Sequence, residues 1–170
     1  ARPADAAAVR DLLERATAAG WTLVPFGGGT SVVGGVTVGP SERPVVSVDM
    51  GATAGLRALD DASGLAIFGA GTLGPDLEAA LQPHGRTLGH FPQSFEYSSV
   101  GGWVVTRSAG QQSMGFGRIE ALFAGGHAET PVGPLDLPTF PASAAGPDLR
   151  EIVLGSEGRF GILTDVTVRT

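Results

Sequence analysis

The chain has no cysteine and no lysine; all 11 of its basic residues are arginine. Without thiols there is no disulfide, no thiolate metal ligand and no cysteine nucleophile. Without lysine there is no Walker A phosphate loop and no Schiff-base chemistry. No basic cluster is visible, and the formal net charge is −6, which argues against nucleic acid or an anionic membrane as partner. No apolar run approaches the ~18 residues of a membrane-spanning helix. The start, Ala1-Arg2-Pro3, leads into an alanine-rich amphipathic stretch rather than an apolar signal core, so no secretory leader is expected. A first residue other than Met reads as a trimmed start. The expectation is a cytoplasmic protein, with the arginine bias pointing to a bacterial source.

Glycine is abundant: 27 of 170 residues, with 12 prolines, in a chain 42% hydrophobic and 16% charged. That is the composition of a folded, loop-rich protein of one domain, or one domain with two lobes. The glycines are clustered. Pro25-Phe26-Gly27-Gly28-Gly29-Thr30-Ser31 follows the apolar pair Leu23-Val24. Three glycines bring no Cβ between backbone and ligand, and a run of free N–H groups beside two hydroxyls suits a phosphate or pyrophosphate.

Hydrophobic spacing predicts a helix over 4–19 ended by Gly20, and strands over 21–26 and 45–48, together a small α/β lobe. Strands are predicted over 56–59 and 65–68, joined by the turn Asp60-Asp61-Ala62-Ser63-Gly64. A helix over 75–81 begins on Pro75. Residues 99–107 suit a short helix, 119–129 a strand turned back at 130–133, and Asp148 caps a short helix to Leu154 before a last strand over 160–168. The later strands read as antiparallel, so the fold class is α+β, with a first lobe over about 1–50 and a second over about 51–170.

Three further clusters carry glycine and hydroxyl groups. Gln93-Ser94-Phe95-Glu96-Tyr97-Ser98-Ser99-Val100-Gly101-Gly102-Trp103 could wrap a cofactor or be a plain loop leading into a helix. In Thr106-Arg107-Ser108-Ala109-Gly110, Arg107 suits a phosphate partner or an ordinary surface cation. Gly155-Ser156-Glu157-Gly158-Arg159-Phe160-Gly161 is a cofactor segment or a bulged turn. Gly69-Ala70-Gly71-Thr72-Leu73-Gly74 formally matches a dinucleotide fingerprint, but the strand before it belongs to a hairpin, so a scaffold turn is the better reading. His84, His90 and His127 have no carboxylate or second histidine at ligand spacing, and no metal site is expected.

Taken in order, these clusters resemble the FAD-binding domain of the vanillyl-alcohol-oxidase or PCMH-type flavoproteins, and within them the alkyldihydroxyacetonephosphate synthase branch with its bacterial relatives. The 25–31 segment resembles the family's pyrophosphate loop. Segments 93–103, 106–110 and 154–164 resemble its other FAD segments, and Gly117-Arg118-Ile119-Glu120 the start of a strand. The resemblance implies FAD between two lobes. Thr30 stands where some members carry the histidine that bonds FAD covalently, so FAD is expected to be non-covalent. It implies a substrate-binding cap domain after the last strand, which the chain lacks, hence an excised or truncated module with no catalytic residue assigned and a possible homodimer in the parent. The implied reaction is an ether-lipid step, in which flavin N5 holds a dihydroxyacetone phosphate adduct while fatty acid is exchanged for fatty alcohol. Oxidation of a 2-hydroxy acid such as glycolate or D-lactate is the alternative within the fold. A scaffold remnant without cofactor is the alternative outside it.

Overall fold

A computed structural model describes residues 1–170. Helix α1 (Ala6–Ala19) is capped by Asp5, whose carboxylate accepts from the Ala8 N–H at 2.8 Å, and ends where Gly20 turns left-handed at φ 69°. Its buried face, Val9, Leu13 and Ala16, recurs at helical spacing. The chain then forms two parallel strands, β1 (Thr22–Phe26) and β2 (Val45–Asp49), in register from Thr22 opposite Val45 to Phe26 opposite Asp49. A small core of Val9, Leu13, Val48, Met50 and Ile162 packs here.

The second sheet has five strands: β3 (Leu56–Asp60), β4 (Leu65–Gly69), β5 (Phe123–Thr130), β6 (Gly133–Leu137) and β7 (Ile162–Arg169). Their spatial order is β3-β4-β7-β5-β6, and every neighbouring pair is antiparallel. The last strand is therefore the central one. Helices α2 (Gly74–Leu81) and α3 (Val100–Thr106) contribute to a core of 19 buried residues that includes Phe68, Leu77, Leu81, Trp103, Phe123, Val166 and Val168. Ile162, at the start of β7, reaches into the smaller core, so the central strand of the larger sheet packs against the smaller lobe.

One segment differs from expectation. The stretch 119–129 is not one strand: Ile119–Leu122 forms a helical turn (α5) before β5 begins. Ile119 and Leu122 are both buried, a spacing of three that a helix satisfies and a strand does not. Ser113–Phe116 likewise forms a short helix (α4). A last short helix, α6 (Leu149–Val153), has the expected Asp148 cap.

The histidine expectation also changes. In the β5–β6 hairpin His127 lies opposite Asp136, with Nδ1 2.6 Å from the carboxylate, while Nε2 is 3.1 Å from Glu129. Glu129 is fully buried and takes two hydrogen bonds from Arg10 of α1, at 3.0 Å and 2.5 Å. Burial alone works against charge on His127, but the bonds to Glu129 and Asp136 outweigh it and raise its pKa. Hydrogen bonds from Arg10 hold Glu129 below its ordinary value.

A raised histidine stabilises the fold fully below its unfolded pKa of 6.5, and that contribution is lost as pH rises through the higher folded value. Melting temperature should fall as pH rises above about 6.5, and H127N should flatten that slope, as read by calorimetry across pH. An unchanged slope would remove His127 as its source.

Candidate functional site

The residues that form the site meet in a cleft of about 690 Å³ between the two sheets. One wall is the glycine loop. None of the backbone N–H groups from Gly27 to Ser31 donates to a protein acceptor. The opposite side is the segment before α3. There the helix N-terminus is already satisfied: Val100 N–H donates to Thr72 O and Gly101 N–H to Ala70 O, both at 2.9 Å, and Gly102 N–H to Ser99 Oγ at 3.3 Å. The free donors belong to the glycine loop, not to the helix.

Glycine is needed in this loop for a different reason from the one its sequence suggests. A Cβ on Gly28 would lie 1.7 Å from the Tyr97 carbonyl oxygen, and one on Gly27 2.2 Å from Ser99 Oγ. The close approach that glycine permits is to the protein's own chain: backbone at Gly28, the Ser99 side chain at Gly27. Gly29, at φ +66°, takes the left-handed turn that follows.

Most of the sequence-predicted residues come together. Pro25, Phe26, Gly27, Gly28, Gly29, Thr30, Ser31, Gln93, Ser94, Ser98, Ser99, Gly102, Thr106, Ser108, Ala109, Glu157, Gly158 and Gly161 all line the cleft. The others do not. Phe95 sits in an aromatic row, 5.0 Å from Phe91 and 6.3 Å from Trp103 between ring centroids. Glu96 and Tyr97 face solvent. Arg107, in the left-handed conformation at φ 51°, turns to Glu151 at 2.5 Å and to the Leu154 carbonyl at 3.3 Å. Gly155 packs on the Arg107 side chain. Ser156 lies off the wall, and Arg159 and Phe160 are exposed.

Apolar wall residues were missed from the sequence: Val24, Val36, Met50 and Val105. Val105 could have been found from the helical spacing that places it beside Gly102. Within the wall, Trp103 Nε1 donates to Ser98 Oγ at 2.6 Å, and Ser98 Oγ donates to Ser94 O at 2.8 Å. His90 is buried edge-on to Trp103 at 4.9 Å, and burial lowers its pKa to about 4. Glu157 is the cleft's one charged side chain. Gly69-Ala70-Gly71 serves packing. A Cβ on Gly69 would meet Thr53 O at 1.5 Å and one on Gly71 would meet Met50 O at 1.9 Å.

Free N–H donors, hydroxyls and an apolar wall line a cleft of ligand-pocket size, an arrangement that can take a large, partly apolar anion. Comparisons with known proteins show the family. A family model described as an FAD binding domain matches residues 1–134. The chain belongs to that family, the PCMH-type FAD-binding domains. It is 41% identical over 149 residues to alkyldihydroxyacetonephosphate synthase of Trypanosoma brucei brucei, covering 86% of this chain and 24% of the relative. It is 44% identical over 94 residues to the uncharacterized FAD-linked oxidoreductase YgcU of Escherichia coli, covering 55% of this chain and 19% of that protein. A solved alkyldihydroxyacetonephosphate synthase structure superposes with a TM-score of 0.93 at 36% identity, over 99% of this chain and 30% of that one. Physcomitrella patens BBE-like 1, at 24% identity and TM-score 0.82, shares the fold over 99% of this chain and 35% of its own. The chain spans about a quarter of the length of the synthases it matches. No helix is long and apolar enough to cross a membrane.

G28A should cost about 1–3 kcal/mol in chemical denaturation, because the methyl group must push the 97–99 backbone away. S31A, which removes only a cleft hydroxyl, should stay within about 0.5 kcal/mol of the parent. Equal stabilities would contradict the packing role of Gly28.

Proposed function

We propose that this chain is the FAD-holding part of a flavoenzyme, with the cofactor bound non-covalently between its two sheets. The carrying observation is the row of free N–H groups from Gly27 to Ser31 at the cleft wall. These donors would take the pyrophosphate, helped by the Thr30 and Ser31 hydroxyls, while Trp103, Val105, Ile162 and Leu163 would flank apolar parts of the cofactor. Arg107 would act indirectly, holding the turn at Leu154 against the end of α3. The cleft is lined by no histidine, cysteine or tyrosine, which supports attachment without a covalent bond. Bound FAD supplies the electron-accepting ring chemistry, and the protein supplies orientation and exclusion of water.

For the parent enzyme we infer a transferase reaction like that of the alkyldihydroxyacetonephosphate synthases, whose similarity spans most of the chain. Weaker similarity to a D-2-hydroxyglutarate dehydrogenase, at 29% identity, and a D-lactate dehydrogenase, at 30%, supports oxidation of a 2-hydroxy acid as the second reading. In either case the substrate pocket and acid/base residues would lie in a cap domain beyond this module. The cleft itself offers only Glu157 as a charged group, which supports that division.

Titrating FAD into the chain should quench flavin fluorescence and raise the melting temperature; neither response would remove the cofactor reading. Acid precipitation of the complex should leave all the flavin in the supernatant, whereas flavin retained in the pellet would mean a covalent bond. The gene's full product should exchange the acyl chain of an acylated dihydroxyacetone phosphate for a fatty alcohol. Reduction of a dye by D-lactate or D-2-hydroxyglutarate instead would favour the second reading.

A further inference from the structure

Two buried side-chain polar atoms lack a hydrogen-bond partner: Nδ1 of His90 and Oε2 of Glu120. Buried polar atoms are almost always partnered, by protein or by ordered water. These two belong to one neighbourhood. His90 is 1% exposed, and its Nε2 lies 3.1 Å from Ser108 Oγ. Ser108 lines the cleft, and its carbonyl accepts from the Ile119 N–H at 3.3 Å, which brings the turn carrying Glu120 alongside. Arg118 holds the other Glu120 oxygen, Oε1, at 3.3 Å. Glu120 is the charged group whose field reaches the His90 ring.

We propose that Glu120 and His90 are joined through buried water into a relay that fixes His90 as its Nδ1–H tautomer, and so makes Ser108 Oγ a hydrogen-bond acceptor for an N–H of the bound cofactor. Burial keeps the imidazole neutral at physiological pH, so it carries one proton. A carboxylate only accepts, so it draws that proton, by way of water, to Nδ1. Nε2 is then left as an acceptor and takes the Ser108 hydroxyl proton. The serine oxygen can offer only lone pairs to the cleft. Without the carboxylate the opposite tautomer is open: Nε2–H would donate to Ser108, and Ser108 would turn its proton on the ligand. His90 and Glu120 are thus positioning residues, acting through Ser108. Only the last step rests on the FAD reading; the tautomer belongs to the protein alone.

Nitrogen-15 NMR of the histidine rings in the cofactor-free chain, near neutral pH, tests it directly. Protonated Nδ1 and bare Nε2 on His90 are expected, with a switch to Nε2–H in E120A. An Nε2–H ring in the parent, or an unchanged ring in a folded E120A, overturns the relay. The parent spectrum decides even where E120A fails to fold. FAD titration tests the last step: S108A should weaken binding about tenfold, and S108A combined with E120A should be no weaker than S108A alone. Parental affinity in S108A overturns the acceptor role. A parent chain that takes no FAD overturns the cofactor reading instead, and leaves the tautomer to the NMR.

Discussion

Backbone pressed against backbone joins the two sheets, and glycine makes this possible at two crossings. At the first, Gly27 and Gly28 lie against Tyr97, Ser98 and Ser99. At the second, Gly69 and Gly71 lie against the carbonyls of Thr53 and Met50. At Gly28, Gly69 and Gly71 a Cβ would have to displace main chain, which cannot swing aside, whereas at Gly27 it would meet the Ser99 side chain. The first crossing also sets the site. It anchors the start of the loop against the segment leading into α3, so the loop's unspent N–H groups line a fixed wall.

The electrostatics of that wall are unusual for an anion site. No arginine lines the cleft. Arg107 is bound to Glu151, Arg10 to Glu129, and Arg150 to Asp148. On the proposed FAD reading, attraction for a phosphate would fall to peptide dipoles, fixed in place before a ligand arrives. Such dipoles need no reorganisation on binding, and they spare the cleft the mobile counter-charge that a lysine would bring.

The elements with strong local signals were legible in the sequence. Asp5 and Gly20 bracket α1, Asp60 to Gly64 turns β3 into β4, and Asp148 starts α6. Gathering of the four glycine and hydroxyl clusters was implied by the family resemblance, not by their composition alone. Side-chain direction was not. Arg107 reads as a phosphate ligand until its left-handed backbone turns it to Glu151. Phe95 and Tyr97 belong to the right segment but point into the core row and to solvent. His127 was read as isolated, although Glu129 two residues on must share its side of a strand and the hairpin register supplies Asp136. The Ile119 to Leu122 turn was hidden because four residues are too few for a period to declare itself.

The position of β7 has a consequence for how the chain acquires its shape. The β3–β4 and β5–β6 hairpins are local and can form as soon as each has left the ribosome. The inner edges of β4 and β5 then have no partner until β7, synthesised after both, slides between them. Until that moment two strand edges stand open to any other extended chain, including a neighbouring copy. Birth of this module is thus gated by its final strand, whose first residue, Ile162, closes the smaller core in the same act.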